Sequence, residues 1–356
     1  MCQGFIVLFS LLSLLFGYDE AEIVFAGDAM MHKAQIEAAR QNNGSYDFNE
    51  YFSEIDGYIG SADYAVVNLE TPVSAPPHTG YPCFNAPEQY IDALADAGFD
   101  LFLTANNHTL DRRDRGLVST IENLDKRNLD HIGTYKDSEE RSSAMPFIKT
   151  INNIKVAFMN YTYGTNGIAP GNKVKVDYID RKLIKNDIEA ARSAGAEYII
   201  ACIHWGNEYQ MLPSAEQKSL AQFMRDNGVD AIIGGHPHVI QPIEITDGDS
   251  KLLTVYSLGN FISNMKTKDT RGGALVKIRL TRGDDNKVRL TDASYRLVFT
   301  EPATSTHNFR LKWVDNSTDY RAKAFSDSAR AIFNKHNKNI TEDIPGHLSR
   351  ILQTAN

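Results

Sequence analysis

The 356-residue sequence predicts an α/β fold in which buried strands alternate with helices. Short apolar runs typical of buried strands are the first observation behind this prediction. Apolar residues at helical spacing between those runs are the second. The third is that the runs end on polar or glycine-rich segments. Because open α/β sheets bind ligands at the carboxyl ends of their strands, we expect these segments to form a site.

Five apolar runs have the length and composition of buried strands. They are residues 23–28, 64–70, 99–104, 198–204 and 230–233. Three runs end on Asp28, Glu70 and His204, which are residue types that bind metal ions. The third run continues into Asn107 and His108, and the fifth into the segment Gly234-Gly235-His236-Pro237-His238. If the fifth run is a strand, residues two apart point the same way, so both imidazoles can converge on one ion.

Helices are predicted between these runs from stripes of apolar residues. Residues 48–59, 117–124 and 183–191 carry such stripes. Ser214 and Gln217 form a capping-box pattern that predicts the start of another helix, which Gly228 would end. Residues 252–258, 274–280 and 287–299 are predicted as antiparallel strands, with residues 283–286 as a hairpin turn.

The chain is expected to contain three segments. Residues 1–20 include an apolar run from Phe5 to Phe16, too short for a bilayer-spanning helix but suited to a signal peptide or an N-terminal membrane anchor. We therefore expect an exported or membrane-anchored protein on the extracytoplasmic face. Residues 1–4 carry no Lys or Arg, so a buried N-terminal strand stays an alternative. Residues 21–300 should form the main domain, and residues 301–356 a polar, partly helical extension with a peripheral or partner-binding role.

Composition excludes several classes of protein. With 42% apolar and 23% charged residues the chain can bury a large core, which argues against disorder. A formal net charge of -8 without a basic block argues against a general nucleic-acid binder, because phosphate binding requires a basic patch. Cys2, Cys83 and Cys202 form no CxxC pair, which argues against a zinc knuckle. A Cys83–Cys202 disulfide remains open for an exported protein.

The strand ends offer oxygen and nitrogen donors without a thiolate, a mixture that suits manganese, iron or zinc better than calcium. The candidate ligands are Asp28, Glu70, Asn107, His204, His236 and His238. Each taken singly is more often a structural residue than a ligand, but their shared placement predicts a metal centre. Six donors exceed what one catalytic zinc takes from a protein, so we expect two divalent transition-metal ions that share a carboxylate.

Several ordered motifs resemble those of the CapA family, which is linked to poly-gamma-glutamate capsule synthesis. The matching blocks are Gly27-Asp28 and residues 68–72, 105–111, 204–209, 235–242 and 256–261. They occur in order between about Glu22 and Phe261, a span of about two thirds of the chain. The CapA family is in turn similar to calcineurin-like metallophosphoesterases, so the resemblance implies a β-sandwich flanked by helices that carries a two-metal centre.

The resemblance also implies a role for each candidate residue. Asp28 and His238 would bind the first metal, Asn107, His204 and His236 the second, and Glu70 would bridge the two. His108 would be a catalytic residue that faces the scissile group without binding metal. Asp111 would either orient His108 or cap a helix. Arg112, Tyr256, Ser257 and Asn260 are candidate substrate-binding residues.

Two departures from the phosphoesterase pattern bear on catalysis. Met30 stands where that pattern has a histidine two residues after the first aspartate, and His32 lies two residues further on. The bridging position is occupied by Glu70, whereas phosphoesterases usually have an aspartate there.

Two functions of different classes follow from these residues. One is a metal-dependent hydrolase that acts on a phosphoester or on an anionic, amide-linked polymer. The other is a polymer-binding or assembly component, in contact with membrane partners of a capsule-synthesis machine, whose metal site is structural or vestigial. His108, which has no metal to hold, favours the hydrolase, and Met30 favours the assembly component.

Overall fold

The computed structural model describes residues 19–246, 248, 251–336 and 340–343. Nearly all of the predicted signal segment, residues 1–18, lies outside this range. Within the described residues, no helix combines the length and apolar character needed to cross a membrane.

The described strands and helices follow the predicted alternation. The strands are β1 (Glu20–Ala29), β2 (Tyr64–Leu69), β3 (Leu101–Leu103), β4 (Asp130–Ile132), β5 (Thr134–Tyr135), β6 (Phe147–Ile151), β7 (Ile154–Thr162), β8 (Lys175–Val176), β9 (Tyr198–His204), β10 (Ala231–Gly235), β11 (Ile243–Ile245), β12 (Leu253–Val255), β13 (Asn260–Ile262), β14 (Gly272–Arg282), β15 (Val288–Glu301), β16 (Arg310–Trp313) and β17 (Thr341–Glu342). The helices are α1 (Lys33–Ala39), α2 (Asp56–Ile59), α3 (Gln89–Asp96), α4 (Arg113–Asp125), α5 (Ser138–Ala144), α6 (Arg181–Ser193), α7 (Ala215–Asp226) and α8 (Tyr320–His336).

These strands form two large sheets. The first has the order β16-β15-β14-β1-β2-β3-β4, with β13 also paired to β1 and β17 to β15. The second has the order β11-β12-β10-β9-β7-β6. Strands β1 to β4 are mutually parallel, as are β12, β10, β9 and β7, so each sheet brings several carboxyl ends to one edge. A short ribbon of β5 and β8 stands apart.

The two sheets pack face to face around a shared apolar core. Phe25 and Val276 of the first sheet belong to the same buried cluster as Phe158 and Ile200 of the second. The outer face of each sheet is covered by helices, because alternate residues of the central strands point outward and are also apolar. This arrangement confirms the predicted α/β sandwich flanked by helices.

Most of the predicted elements are present. The five apolar runs form strands β1, β2, β3, β9 and β10, and the stripes at 117–124 and 183–191 lie on α4 and α6. Ser214 caps α7, since its hydroxyl accepts from the Gln217 backbone while the Gln217 side chain accepts from the Ser214 backbone. Gly228, with φ +99°, follows the end of that helix.

Residues 48–59 differ from the predicted helix. Only α2 is helical there, and the preceding residues form turns with i to i+3 backbone bonds from Tyr51 to Phe48 and from Ile55 to Phe52. These apolar side chains are nevertheless buried. Successive turns with i to i+3 bonds have about three residues each, close to the 3.6 residues of an α-helical turn. The spacing of apolar residues therefore could not distinguish such turns from a helix.

The carboxyl-terminal half also departs from expectation. Strand β12 is antiparallel to β11 but parallel to β10, whereas β14 and β15 form the predicted antiparallel hairpin. Residues 310–336 are not peripheral to the sandwich, because β16 pairs with β15 and α8 buries Phe325 and Phe333 in the core between the sheets.

The Cys83–Cys202 disulfide is not formed, since Cys83 is exposed, Cys202 is buried and both are free.

Candidate metal centre

The carboxyl ends of strands from both sheets meet at one edge of the sandwich. Asp28 lies near the end of β1, Glu70 directly follows β2, and His204 ends β9. Gly235, the last residue of β10, is in register with His204. All of these side chains are buried, so the centre lies below the protein surface.

The two imidazoles that follow β10 converge for a different reason from the predicted one. The strand ends at Gly235, and His236 and His238 have φ values of +97° and +57°. The predicted strand is present as β10 and the two imidazoles converge, but strand alternation does not direct them, because the strand ends before His236. The left-handed backbone at both residues turns the rings toward the same space, with centroids 5.9 Å apart.

The glycine pair before these histidines allows the close approach of other groups. A Cβ at Gly234 would lie 2.1 Å from the Tyr256 carbonyl oxygen, and one at Gly235 would lie 2.7 Å from the Asp28 carboxylate. Asp28 also accepts a hydrogen bond of 3.1 Å from the His236 backbone. The loop is thus held against the end of β1.

Glu70 belongs to both groups of potential metal ligands in the described part of the chain. One group is Glu70, His236 and His238, and the other is Asp28, Glu70 and His204. Within each group the donor atoms lie within 4.8 Å of one another. Glu70 Oε1 is 3.6 Å from His204 Nε2 and 3.9 Å from His238 Nε2. Glu70 Oε1 therefore lies between the imidazoles of the two groups.

The structure groups the ligands differently from the assignment implied by the family resemblance. His236 is grouped with His238, and Asp28 with His204. Asp28 Oδ2 nevertheless lies only 3.4 Å from His238 Nδ1, so these two residues are also neighbours, as the resemblance implies.

Side-chain amides orient the donors. Asn68 donates to Asp28 Oδ1 at 2.8 Å, and Asn260 Oδ1 lies 2.9 Å from His238 Nδ1. This contact leaves His238 Nε2 directed toward Glu70. Asn107 Oδ1 lies 2.9 Å from His204 Nε2, so these two predicted ligands do face each other. Partners of this kind commonly fix the orientation and basicity of metal ligands.

The charge balance of the centre fits a bound cation. Burial, and after it the nearby Asp28 carboxylate, raises the pKa of Glu70 well above its ordinary value. Neither Glu70 oxygen has a hydrogen-bond partner in the described residues, and His236 Nδ1 also lacks one. Burial, followed by the neighbouring imidazoles, lowers the pKa values of His204 and His236, the latter to about 3, so both rings are neutral at pH 7. Neutral imidazoles and unpaired carboxylate oxygens are the forms that bind divalent metals.

His108 lies beside this centre and is paired with Asp111. Its Nδ1 is 2.8 Å from Asp111 Oδ2, and the same carboxylate oxygen accepts from the Phe84 backbone at 2.8 Å. The Phe84 ring packs edge-on against the imidazole, with centroids 4.6 Å apart. The residue at the N-cap of α4 is Arg112, so Asp111 orients His108 instead of capping the helix.

Met30 and His32 belong to neither ligand group, although His32 packs against Phe84, the ring that also contacts His108. Met30 is buried. His32 is the N-cap residue of α1, where its Nδ1 accepts a backbone hydrogen bond from Asn264 at 3.2 Å. The Nδ1 atom of His32 is thus engaged by the backbone of Asn264.

The predicted substrate-binding residues have diverse surroundings. Tyr256 stacks on Trp205 and its hydroxyl contacts Glu244, within the apolar cluster under α6 and α7. Ser257 donates to the Val239 carbonyl. Arg112 is half-buried at the start of α4, and Asn260 contacts His238 as described above. Of these four residues, Asn260 is the one that contacts a candidate metal ligand.

Three further residues contact the centre and were not singled out as site residues from the sequence. Asn68 precedes Glu70 by two positions, so strand alternation could have indicated it. Asn166 lies 3.3 Å from the Asn107 amide, and Tyr163 packs its ring 4.5 Å from that of His236. Nothing in the local sequence marks these last two, because long-range folding places the loop after β7 over the site.

The fold and this cluster define an α/β sandwich protein with a buried group of donors suited to divalent metals. The chain belongs to the family of the bacterial capsule synthesis protein PGA_cap, whose sequence model matches residues 22–265. The resemblance to the CapA family is thereby confirmed.

Individual proteins show the same relationship. The chain is 28% identical over 273 residues to PGA biosynthesis protein CapA of Bacillus subtilis (strain 168). The matched region covers 75% of this chain and 70% of that protein. It is 27% identical over 287 residues to capsule biosynthesis protein CapA of Bacillus anthracis, with coverages of 77% and 66%. Among solved structures, Haemophilus influenzae NAD nucleotidase (NadN) is similar with a TM-score of 0.48 and 14% identity, over 94% of this chain and 66% of that one. The chain spans about two thirds of the length of each.

Proposed function

We propose that this protein is a metal-dependent hydrolase with two divalent transition-metal ions at the strand ends. The observation that supports it most directly is Glu70, a fully buried carboxylate shared by two ligand groups and without a hydrogen-bond partner among the described residues. A buried carboxylate beside a second one is costly unless cations compensate it. Glu70 is the proposed bridge, and Asp28, Asn107, His204, His236 and His238 are the remaining ligands.

The chain's own residues supply the rest of the chemistry. When bound, the ions would polarise the scissile group and lower the pKa of an attacking water. Asp111 holds His108 through Nδ1, and Nε2 makes no hydrogen bond within the described part of the chain. His108 is therefore free to donate a proton or hydrogen bond to the charge that develops on the substrate.

The proposed substrate is an anionic, amide-linked polymer of the poly-gamma-glutamate type. Support comes from the names of the two Bacillus relatives, which refer to PGA and to capsule biosynthesis. A phosphoester is the second substrate class that such a metal centre would serve.

An extracytoplasmic location and membrane partners of the capsule machinery belong to the same proposal. The apolar run from Phe5 to Phe16 supports export. A reporter enzyme that is active only outside the cytoplasm, fused after Glu22, should be active. Activity no greater than that of a fusion without residues 1–20 would contradict export.

A non-catalytic role as a polymer-binding or assembly component is the second candidate. It is favoured by Met30, a buried thioether where phosphoesterases carry a histidine, because thioether sulfur is a poor ligand for manganese, iron or zinc. In that case the metal centre would hold the loop of His236 and His238 against β1 without turning over a substrate.

One set of assays on one protein sample separates the two candidates. Elemental analysis should find about two transition-metal ions per chain, because the ligand groups share Glu70. The same sample is then assayed with a generic phosphodiester and with poly-gamma-glutamate. The double variant His236→Ala, His238→Ala should lose at least one ion and the activity, whereas His336→Ala, an exposed histidine at the end of α8, should change neither.

Equal metal content in the wild type and the double variant would refute the ligand assignment. A full metal content with no turnover of either substrate would favour the assembly role.

A further inference from the structure

A groove of about 750 Å³ adjoins the candidate metal centre. Tyr163 belongs to both, since its ring packs 4.5 Å from that of His236 and also lines the groove. The segment that follows His204, residues 205–207, continues into the groove wall. A molecule held at the metal centre could therefore extend directly into this groove.

The groove contains a positioned cation. Arg181, the first residue of α6, donates through Nη2 to the Ser219 hydroxyl at 2.8 Å, and its guanidinium lies 4.9 Å from the centre of the Phe223 ring. No carboxylate within the described residues forms an ion pair with it. An arginine that is held in place, but lacks a counterion, retains donors for an anionic group.

Other polar groups in the groove both donate and accept hydrogen bonds. Asn207 offers an exposed side-chain amide. Glu216 is held by its own backbone N–H and by the Ser214 hydroxyl, which together lower the pKa of its carboxyl group. An amide-linked acidic chain presents N–H, C=O and carboxylate groups. The N–H groups match the Glu216 carboxylate, the C=O groups match the Asn207 amide, and the carboxylates match the Arg181 guanidinium. A phosphate chain presents acceptors alone and has no N–H group to donate to the Glu216 carboxylate.

We propose that the groove between the starts of α6 and α7 is a binding subsite for an acidic, amide-linked chain, with Arg181 as its anion-binding residue. The choice of chain rests on the proposed function, because the bond to be cleaved lies at the metal centre. Binding in the groove does not itself require hydrolysis, so the two proposals can fail separately.

The test measures binding of fluorescein-labelled gamma-linked glutamate oligomers of two and ten residues by fluorescence anisotropy. Arg181→Gln should weaken binding of the ten-residue oligomer by about two- to fivefold, the range for one exposed ion pair. Binding of the two-residue oligomer, which has fewer carboxylates to place near Arg181, should weaken less. Arg181→Lys should retain part of the affinity.

Lys185→Gln is the matched control, because it removes one positive charge from the same helix. Lys185 has a side chain that is 56% exposed and lies near Glu189, away from the groove lining. An equal loss of affinity in this variant would show a general charge effect and overturn the subsite. Unchanged binding of the ten-residue oligomer to Arg181→Gln would overturn it as well.

Two further outcomes complete the test. Polyphosphate that binds as tightly as the ten-residue oligomer, with the same dependence on Arg181, would overturn the assignment to an amide-linked chain. Arg181-dependent binding of the oligomer without cleavage would support the subsite while refuting the hydrolase. Cleavage of the oligomer that is insensitive to Arg181→Gln would support the hydrolase while refuting the subsite.

Discussion

The Nδ1 atom of His108 lies 2.8 Å from Oδ2 of Asp111, and both side chains are almost fully buried. The carboxylate is fixed in turn by the Phe84 backbone N–H. This contact orients the imidazole next to the metal centre without making it a ligand. In the segment after β3, Asn107 thus faces His204, whereas the next residue, His108, is held by Asp111.

We expect His108→Ala to keep the metals and the fold but to lose hydrolysis by about 10²–10⁴-fold, the usual contribution of a positioned general acid. Asp111→Asn should lower kcat less, because the ring remains but is held less firmly. Metal content, circular dichroism and turnover are measured on the same samples. Metal loss in His108→Ala would make the residue a ligand, and unchanged turnover would support the non-enzymatic role.

Glu70→Gln should have opposite effects on the metal-free and metal-loaded protein. Without metal, the amide removes a buried carboxylate that lies beside Asp28, so the variant should be at least as stable as the wild type in chelator. With metal, the wild type should gain about 4 kcal/mol at a concentration a thousandfold above Kd, and the variant should lose most of this gain. Urea unfolding with chelator or with Mn²⁺ measures both effects. The same metal-induced gain in both proteins would exclude Glu70 from the centre.

Gly27→Ala should destabilise the fold next to the site. The added Cβ would lie 2.0 Å from the Gly259 carbonyl oxygen, a backbone atom that cannot move aside without displacing β13. Overpacking of this kind costs about 1–3 kcal/mol in the free energy of unfolding. Gly57→Ala in α2 is the control, because nothing lies within 4 Å of the added atom. Its unfolding free energy should stay level or rise, and an equal loss in both variants would contradict the steric explanation.

His32 should make stability depend on pH. Burial, above all, lowers the pKa of its ring from 6.5 to about 4 in the folded protein. Between these values the unfolded chain binds a proton that the folded chain does not. Stability should therefore be lost as the pH falls from 6.5 toward 4, by up to about 3 kcal/mol for this residue.

The variant His32→Asn keeps a residue suited to the N-cap but cannot titrate. Its unfolding free energy, measured in chelator, should fall less steeply than that of the wild type over this pH range. His336→Asn, at an exposed position, should follow the wild type. Parallel curves for wild type and His32→Asn would show that His32 does not contribute.

Much of the fold was predictable because strand and helix patterns are local. The apolar runs that became β1, β2, β9 and β10 are buried on both faces, so their composition alone identified them. The capping box at Ser214 was equally local. Residues 48–55 were not predictable in this way, because turns and helices bury apolar residues at similar spacing.

The residues of the candidate centre could be named from the chain, since donors at the ends of parallel strands must meet at one edge of a sheet. How they meet depended on contacts between distant segments. The positive φ values of His236 and His238 and the position of Asp28 against Gly235 decide where the imidazoles point. Tyr163 lies in the loop after β7, and it lines the groove together with residues at the starts of α6 and α7. Local patterns specify which groups reach the sheet edge, but packing between the two sheets decides which of them touch.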